Sequence, residues 1–408
     1  MRARSHPWLA LLVLLAALIG ASIPPELSSQ AAPATPPPQA TVRPGTGRAG
    51  QSPTLLGDIN NDGIVDIRDY AIWRQNFGQT NCGNPADLDG NCIVDIRDYG
   101  IWRQNFGLTD RAYVANAGSN TVTVIDTTTN TVVGAPIPVG THPTGVGVDP
   151  TLHRAYVADQ TSNTLSVIDT TTNTAVAAPI PVGTNPDAVG VDPTVHRAYV
   201  ANGSSANVTV IDTTTNTVVG GPIPVGSIPR GVGVDPTVNR AYVASAGGNT
   251  VSVIDTTSNT VVGAPIPVGI NPDAVGVDST LHRAYVTNGG SNTITVIDTT
   301  SNTVVGAPIP AGSQPQGVGV DPSVHRAYVA NGISGTVTVI DTMANAIVGA
   351  PIPVGSFPVG VGVDPTVHHA YVANGDSNTV TVIDTTTNSV VGASLPVGND
   401  PFGVGIGP

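Results

Sequence analysis

The chain predicts a mainly β fold, a seven-bladed β-propeller, preceded by a small α-helical domain. Three observations carry this. From Arg111 to Pro408 one module is written seven times at a period of 43 residues, starting at Arg111, Arg154, Arg197, Arg240, Arg283, Arg326 and His369. Each copy holds four strand-like runs divided by turn residues. Ahead of the copies, residues 54–108 contain a second duplication of another kind. A fixed period near forty with four strands per unit is the pattern of a propeller blade.

Within the first copy the runs are AYVAN (Ala112–Asn116), TVTVID (Thr121–Asp126), TVVGAPIPVG (Thr131–Gly140) and GVGVD (Gly145–Asp149). Val, Ile, Thr and Tyr fill them; Gly, Asn, Asp and Pro punctuate. The TTTN turn ends in Asn130, a residue that tolerates a left-handed backbone. Pro150 follows Asp149 and suits a tight reversal between copies. Pro136 and Pro138 cannot donate to a ladder, so their run is expected to be one edge strand. GVGVD is expected at the axis, with its alternating Gly letting neighbouring blades approach. The array starts at the second strand of a blade and ends after an inner strand. The C-terminal strand should therefore complete the blade begun at Ala112 and close the ring.

The runs AYVAN, AYVTN (Ala284–Asn288), VIDTTTNTVV and PVG…P…GVGVDP resemble the YVTN family of β-propeller repeats over all seven copies. The resemblance implies the fold; propellers host enzymes, binding modules and surface proteins alike.

At the start of the chain, Arg2 and Arg4 precede an apolar run, Trp8–Gly20, and small residues follow. Residues 1–21 read as a secretory signal peptide, too short to span a bilayer. Residues 22–53 read as a Pro/Ala/Thr-rich extended linker. The net charge of −13 argues against a nucleic-acid partner. Lys is absent and Glu occurs once, at Glu26, which excludes a Lys Schiff base and leaves the mature chain no Glu general acid.

LLGDINNDGIVDIRDYAIWRQNFG is echoed 29 residues later by PADLDGNCIVDIRDYGIWRQNFG. Asp58, Asn60, Asp62, Ile64, Asp66 and Asp69 stand at positions one, three, five, seven, nine and twelve of a calcium loop, with Gly63 at six. Ca²⁺ takes six to eight oxygens, and Gly at position six permits the sharp turn. Asp87, Asp89, Asn91, Ile93, Asp95 and Asp98 repeat the set, with Cys92 in place of the glycine. Two Ca²⁺ ions are expected. A short helix should follow each loop, its core made by Tyr70, Trp73 and Phe77, then Tyr99, Trp102 and Phe106.

This pair resembles a dockerin, a calcium-dependent plug for cohesin modules in extracellular assemblies. The resemblance implies a cohesin-like partner, met by loop positions ten and eleven, here Ile67, Arg68, Ile96 and Arg97. Identical pairs in both halves imply a surface able to dock in two orientations. Alternatively, the loops dock the module onto its own propeller. Cys82 and Cys92 are the two cysteines of an exported chain, so a disulfide is expected there, worth on the order of 2–3 kcal/mol.

Compared with one another, the copies vary in two loops of one face: NAGSN and its equivalents, and the loop leading into each inner strand. The residue after the lead-in proline runs Thr144, Asp187, Arg230, Asp273, Gln316, Val359, Phe402, and is expected to ring the channel mouth. This face is the candidate binding face, for a ligand the sequence does not name. His153, His196, His282, His325 and His368 recur at one turn of the opposite face and read as structural. The Asp of each VID reads as a turn cap. With no Ser-His-Asp, HExxH or phosphate-loop pattern, the expected function is non-catalytic: a secreted interaction or surface protein. The alternative is a lactonase-like propeller hydrolase tethered to an assembly, with Asp187 and Asp273 as its metal ligands.

Overall fold

The AYVA run of each copy, AYVT in the fifth, is buried from end to end because it lies one strand out from the axis of a sheet covered on both faces. The computed structural model describes residues 59, 65, 67–80, 84–88, 92–95, 98, 110–176 and 178–408. In the first copy β1 is Arg111–Asn116, β2 Thr121–Asp126, β3 Thr131–Val132, β4 Ile137–Pro138 and β5 Pro143–Asp149. β1 pairs antiparallel with β2, Arg111 opposite Asp126. β5 leaves for the next sheet and pairs with Arg154–Asp159 of the following copy, Asp149 opposite Arg154. Repetition of this step gives seven antiparallel sheets.

The ring closes as the sequence predicts. The C-terminal strand Pro401–Gly407 has no later copy to join and pairs with β1, Gly407 opposite Arg111 and Val404 opposite Val114. Blade 1 is therefore built from both ends of the repeat array; blades 2 to 7 begin at Pro143, Pro186, Pro229, Pro272, Pro315 and Pro358.

The core lies between blades. Tyr113, Ala115, Val122 and Val124 of blade 1 meet Ala155, Val157 and Ile168 of blade 2. The same contact crosses the seam, where Tyr371, Ala373, Val380 and Val382 meet Ala112, Val114 and Ile125. Inner strands approach through their glycines: a Cβ on Gly147 would stand 2.8 Å from the Val189 carbonyl oxygen of the next blade.

The outer strand departs from expectation. Thr131–Gly140 forms two two-residue pieces, β3 and β4, each paired with β2. Between them the chain bulges outward through Gly134, at φ +69°. Pro136 and Pro138 remove two ladder donors within three residues, so a continuous ten-residue pairing is not available.

Each buried Tyr hydroxyl reaches the next blade. Tyr156 lies 3.1 Å from the Thr213 carbonyl oxygen and 2.9 Å from Asn216 Oδ1, and the pattern recurs from blade to blade. The Asn that receives it is held at positive φ, as Asn130 (52°) and Asn216 (55°) show, which fits the sequence reading of the TTTN turn.

In the helical module, α1 (Ile67–Asn76) carries Trp73 into a small core with Ile59, Ala86 and Val94. Tyr70 stacks on Trp73 at 5.7 Å. Phe77 does not join the core as expected: it is 53% exposed. The helix ends at Asn76, and the turn into Gly78 carries Phe77 outward. Residues 1–21, 22–53, Tyr99, Trp102 and Phe106 lie outside the described residues. Among the described residues no helix is long and apolar enough to cross a membrane.

Candidate binding face and calcium loops

The two variable loops of each copy do lie on one face, and they hold each other. Each lead-in loop is bonded to the hairpin loops on both sides. His142 N–H donates to Asn120 Oδ1 of blade 1 at 2.8 Å, and Gln160 N–H of blade 2 donates to the His142 carbonyl at 3.0 Å. The same bonds join Asn185 to Asn163, Asn271 to Asn249 and Gln314 to Asn292. A rigid scaffold therefore carries loops whose tips are free to vary.

The expected mouth ring is only partly a ring of exposed groups. Thr144, Gln316 and Val359 are buried. Every inner strand bulges after its proline, and the side chains at this position meet different surroundings from blade to blade. The Thr144 hydroxyl lies 3.2 Å from the Pro186 carbonyl oxygen of blade 3. Phe402 is half-buried. Asp187 and Asp273 are half-buried, and Arg230 is exposed.

These three groups are occupied with neighbours. Arg230 Nη1 donates to Asp273 Oδ1 at 2.9 Å. Gln160 Nε2 donates to Asp187 Oδ1. Burial pushes the Asp273 carboxyl up and the Arg230 guanidinium draws it back. Burial likewise pushes Asp187 up, against the Gln160 hydrogen bond and the Arg230 charge.

The opposite face is structural, as the repetition suggests. Asp169 Oδ1 accepts the N–H groups of Thr171 and Thr172, capping the turn. Its other oxygen takes Arg154 Nη1 at 2.7 Å, an ion pair repeated in blades 3 to 6 and not foreseen from sequence. Strand register supplies the signal that was there to be read: in the first six copies the opening Arg stands opposite the Asp of VID. His153, His196, His282, His325 and His368 all sit at φ between 51° and 56° in the blade-to-blade turn. His282 Nδ1 lies 3.3 Å from Thr237 Oγ1 of the preceding blade, a packing role.

In the helical module the duplication is visible in hydrogen bonds. Ile59 N–H donates to Asp69 Oδ1 at 2.7 Å, and Leu88 N–H donates to Asp98 Oδ1 at 2.7 Å. Asp98 Oδ2 also accepts the Asp95 N–H, the reach-back of a helix capping box. Val65 and Val94, at position eight of the two loops, are wholly buried; no reading of the ligand positions singled them out. Asp87 Oδ2 accepts the Cys92 N–H at 2.9 Å, while Asp87 Oδ1 is buried with no hydrogen-bond partner. A buried carboxylate oxygen without a donor is costly, and a cation satisfies it.

Asp58, Asn60, Asp62, Ile64, Asp66, Asp89, Asn91, Ile96 and Arg97 lie outside the described residues, as does the side chain of Ile67. Arg68 is exposed on α1, Ile93 is exposed and Asp95 half-buried. Cys92 is disulfide-bonded; its expected partner, Cys82, lies outside the described residues.

Several solved structures share the fold. A hydrazine synthase of Kuenenia stuttgartiensis matches at 22% identity over 64% of this chain and 89% of its own, TM-score 0.57. A protein of unknown function from Desulfotomaculum acetoxidans matches at 16% identity over 73% and 98%, TM-score 0.62. A protein from Lactobacillus plantarum matches at 18% identity over 73% and 99%, TM-score 0.62. At these identities the likeness is of the propeller alone. No protein-family model and no curated protein matches the chain.

Proposed function

We propose that the chain is an exported, non-catalytic interaction protein with two working parts. The helical module binds Ca²⁺ and docks to a cohesin-like partner through its loop-to-helix surfaces. The propeller offers its variable face to a second ligand. The observation that carries the calcium reading is the orphaned, buried Asp87 Oδ1 at loop position one, in a loop closed by the Asp98 carboxylate. Asp87, Ile93, Asp95 and Asp98 of the second loop, and Asp69 of the first, are the described residues that would hold the ions, Ile93 through its backbone carbonyl. The ions would supply structural cross-linking of loop to helix and no chemistry of bond making.

The non-catalytic reading is supported by the mouth of the propeller. A hydrolase using Asp187 and Asp273 would need both carboxylates turned to a metal. Asp273 is instead engaged by Arg230, and Asp187 by Gln160.

The test is a pull-down from the native secretome with the intact chain, with calcium and with a chelator. Capture that needs calcium, and that Asp87→Asn weakens, supports the docking reading. Capture indifferent to both would remove it.

A further inference from the structure

The seven copies serve as controls for one another, and three departures from the repeat meet between blades 5 and 6. Ile270 stands where the other lead-in loops have Thr141, Thr184, Ser227, Ser313, Ser356 and Asn399. Ile333 stands where other hairpin loops have a glycine or a polar residue, such as Thr161, Ser204 or Asp376. Gly289–Gly290 is the one glycine pair at its two positions; blade 2 has Gln160–Thr161 there.

Folding demands neither isoleucine, and it does not demand Gly289. Ile270 and Ile333 are 60% and 70% exposed, so neither is a core residue. Neither glycine takes a positive φ; Gly289 has room for a side chain, whereas a Cβ on Gly290 would stand 2.8 Å from Ile270 Cγ2, so Gly290 is bare to match Ile270. Their bareness opens a groove of about 410 Å³ between the hairpin loops of the two blades. Ile333 forms one wall, and Ile270 lies against Gly290 on the other.

The floor is polar and uncommitted. The side chains of Asn271, Ser313 and Gln314 take no hydrogen bond among the described residues. Asn292 uses only Oδ1, which accepts the Gln314 N–H at 2.8 Å. At the channel mouth, by contrast, Arg230 and Asp273 are occupied with each other. The groove lining contains no ionisable and no aromatic side chain.

We propose that this groove binds an extended, uncharged polypeptide segment of a partner. One aliphatic side chain of that segment sits between Ile270 and Ile333. The side-chain amides of Asn271, Asn292 and Gln314, each donor and acceptor at once, pair with its backbone amides. An ionic ligand would find no counter-charge here, and a sugar ring no aromatic platform. The inference rests on the reading of the variable face as the binding face and names where on that face, and what, it binds.

The probes are three panels of fluorescein-labelled ligands titrated into the intact chain by anisotropy. One is blocked hexapeptides of Ala, Ser, Thr, Val, Ile and Leu. The second has Asp or Lys substituted at single positions, and the third is neutral oligosaccharides. The uncharged peptides carrying Ile, Leu or Val should bind, with at least tenfold loss in the charged panel. Gly289→Gln, which installs the blade 2 residue, and Ile333→Asp, which installs the blade 7 residue, should each cost a further tenfold. Unchanged circular dichroism shows that both variants fold. No binding by the uncharged panel, preference for the oligosaccharides, or indifference to both variants overturns the proposal. Peptide binding that Arg230→Ala abolishes and the groove variants spare overturns the groove while leaving the binding face intact.

Discussion

The Tyr371 hydroxyl of blade 7 lies 3.1 Å from the Thr127 carbonyl oxygen of blade 1, a contact between residues 244 positions apart. It is the same bond that Tyr113 to Tyr328 make to their next neighbours, and here it spans the join between the two ends of the array. Asn130 Oδ1 receives the same hydroxyl at 2.6 Å. This latch adds to the apolar packing across the seam and to the pairing of Pro401–Gly407 with β1.

Removing the strand should cost far more than removing the latch. Deletion of Asn399–Pro408 exposes β1 and the apolar surface of Ala112 and Val114, and should abolish cooperative melting of the propeller. Tyr371→Phe leaves a buried carbonyl and amide short of one donor, and should cost about 1–2 kcal/mol. Thermal melts followed by far-UV circular dichroism decide both. A truncated chain that melts like the intact one would refute the closure.

Asp159 is the single carboxylate at a buried position where five other copies carry Asn and one carries Ser245. Burial pushes its carboxyl up, and the hydroxyls of Ser166 and Thr164, which donate to Oδ2, draw it back. Its native state therefore holds a proton more tightly than the unfolded chain. Stability contributed by this residue is greatest in acid and falls as pH rises from about 4, the ordinary carboxyl value, through the raised native one. Asp159→Asn should stabilise the propeller by on the order of 1 kcal/mol at neutral pH and by nothing in acid. Denaturant melts of the two chains at pH 3 and pH 7 measure the difference; equal gains at both would contradict this.

The Arg–Asp pairs of the opposite face titrate the other way. Partial burial raises the Asp169 and Asp212 carboxyls. Hydrogen bonds from Thr171 and Thr172, and from Thr214 and Thr215, outweigh it with the help of Arg154 and Arg197, and hold both at about 2. A depressed native value gives stability that is complete above about 4 and lost as pH falls through about 2. Arg197→Ala should cost about 0.5–1 kcal/mol at neutral pH, given how much solvent reaches the pair. Melts from pH 6 to pH 2 should show the variant and the parent converging at the acid end.

Trp8, Trp73 and Trp102 are the three tryptophans, and none belongs to the propeller. In a chain expressed without residues 1–21, which lacks Trp8, indole emission therefore reports the helical module, where Trp73 Nε1 donates to the Asp95 carbonyl at 3.2 Å. Under the proposed calcium reading, chelation should shift that emission to the red while far-UV β signal stays constant. Asp87→Asn should raise the calcium concentration needed for the shift at least tenfold. Emission that ignores both ions and chelator would mean that the loops hold no calcium.

Much of this fold was legible because the copies agree. Period, strand order and closure follow from counting, and Asn130 and the VID aspartates announce their turns. What escaped notice depended on distances across blades. Tyr156 to Thr213 and Arg154 to Asp169 are contacts between positions that each look ordinary in their own run. The outer strand was misread because Pro136 and Pro138 mark an edge but do not say that it breaks. The mouth ring was half right because burial there depends on contacts the sequence does not display, such as Thr144 against the Pro186 carbonyl of the next blade and Gln316 against Gly332.

Glycine offers the last prediction, since the repeat uses it for two unrelated reasons. Gly263 holds φ +70° on the outer bulge with nothing within 4 Å of a Cβ. Gly147 lies on an inner strand, where a Cβ would meet the Val189 carbonyl oxygen at 2.8 Å and Val191 Cγ2 at 3.0 Å. The first is a conformational requirement that Asn meets almost as well, so Gly263→Asn should change stability by less than about 1 kcal/mol. The second is a requirement for space against backbone, which no rotamer relieves. Gly147→Ala must push blade 2 from blade 3, and each displacement around a closed ring is shared by all seven junctions. It should therefore cost about 1–3 kcal/mol, the usual penalty of overpacking. Equal losses from Gly263→Asn and Gly147→Ala in denaturant melts would show that blade spacing is not what the inner glycines set.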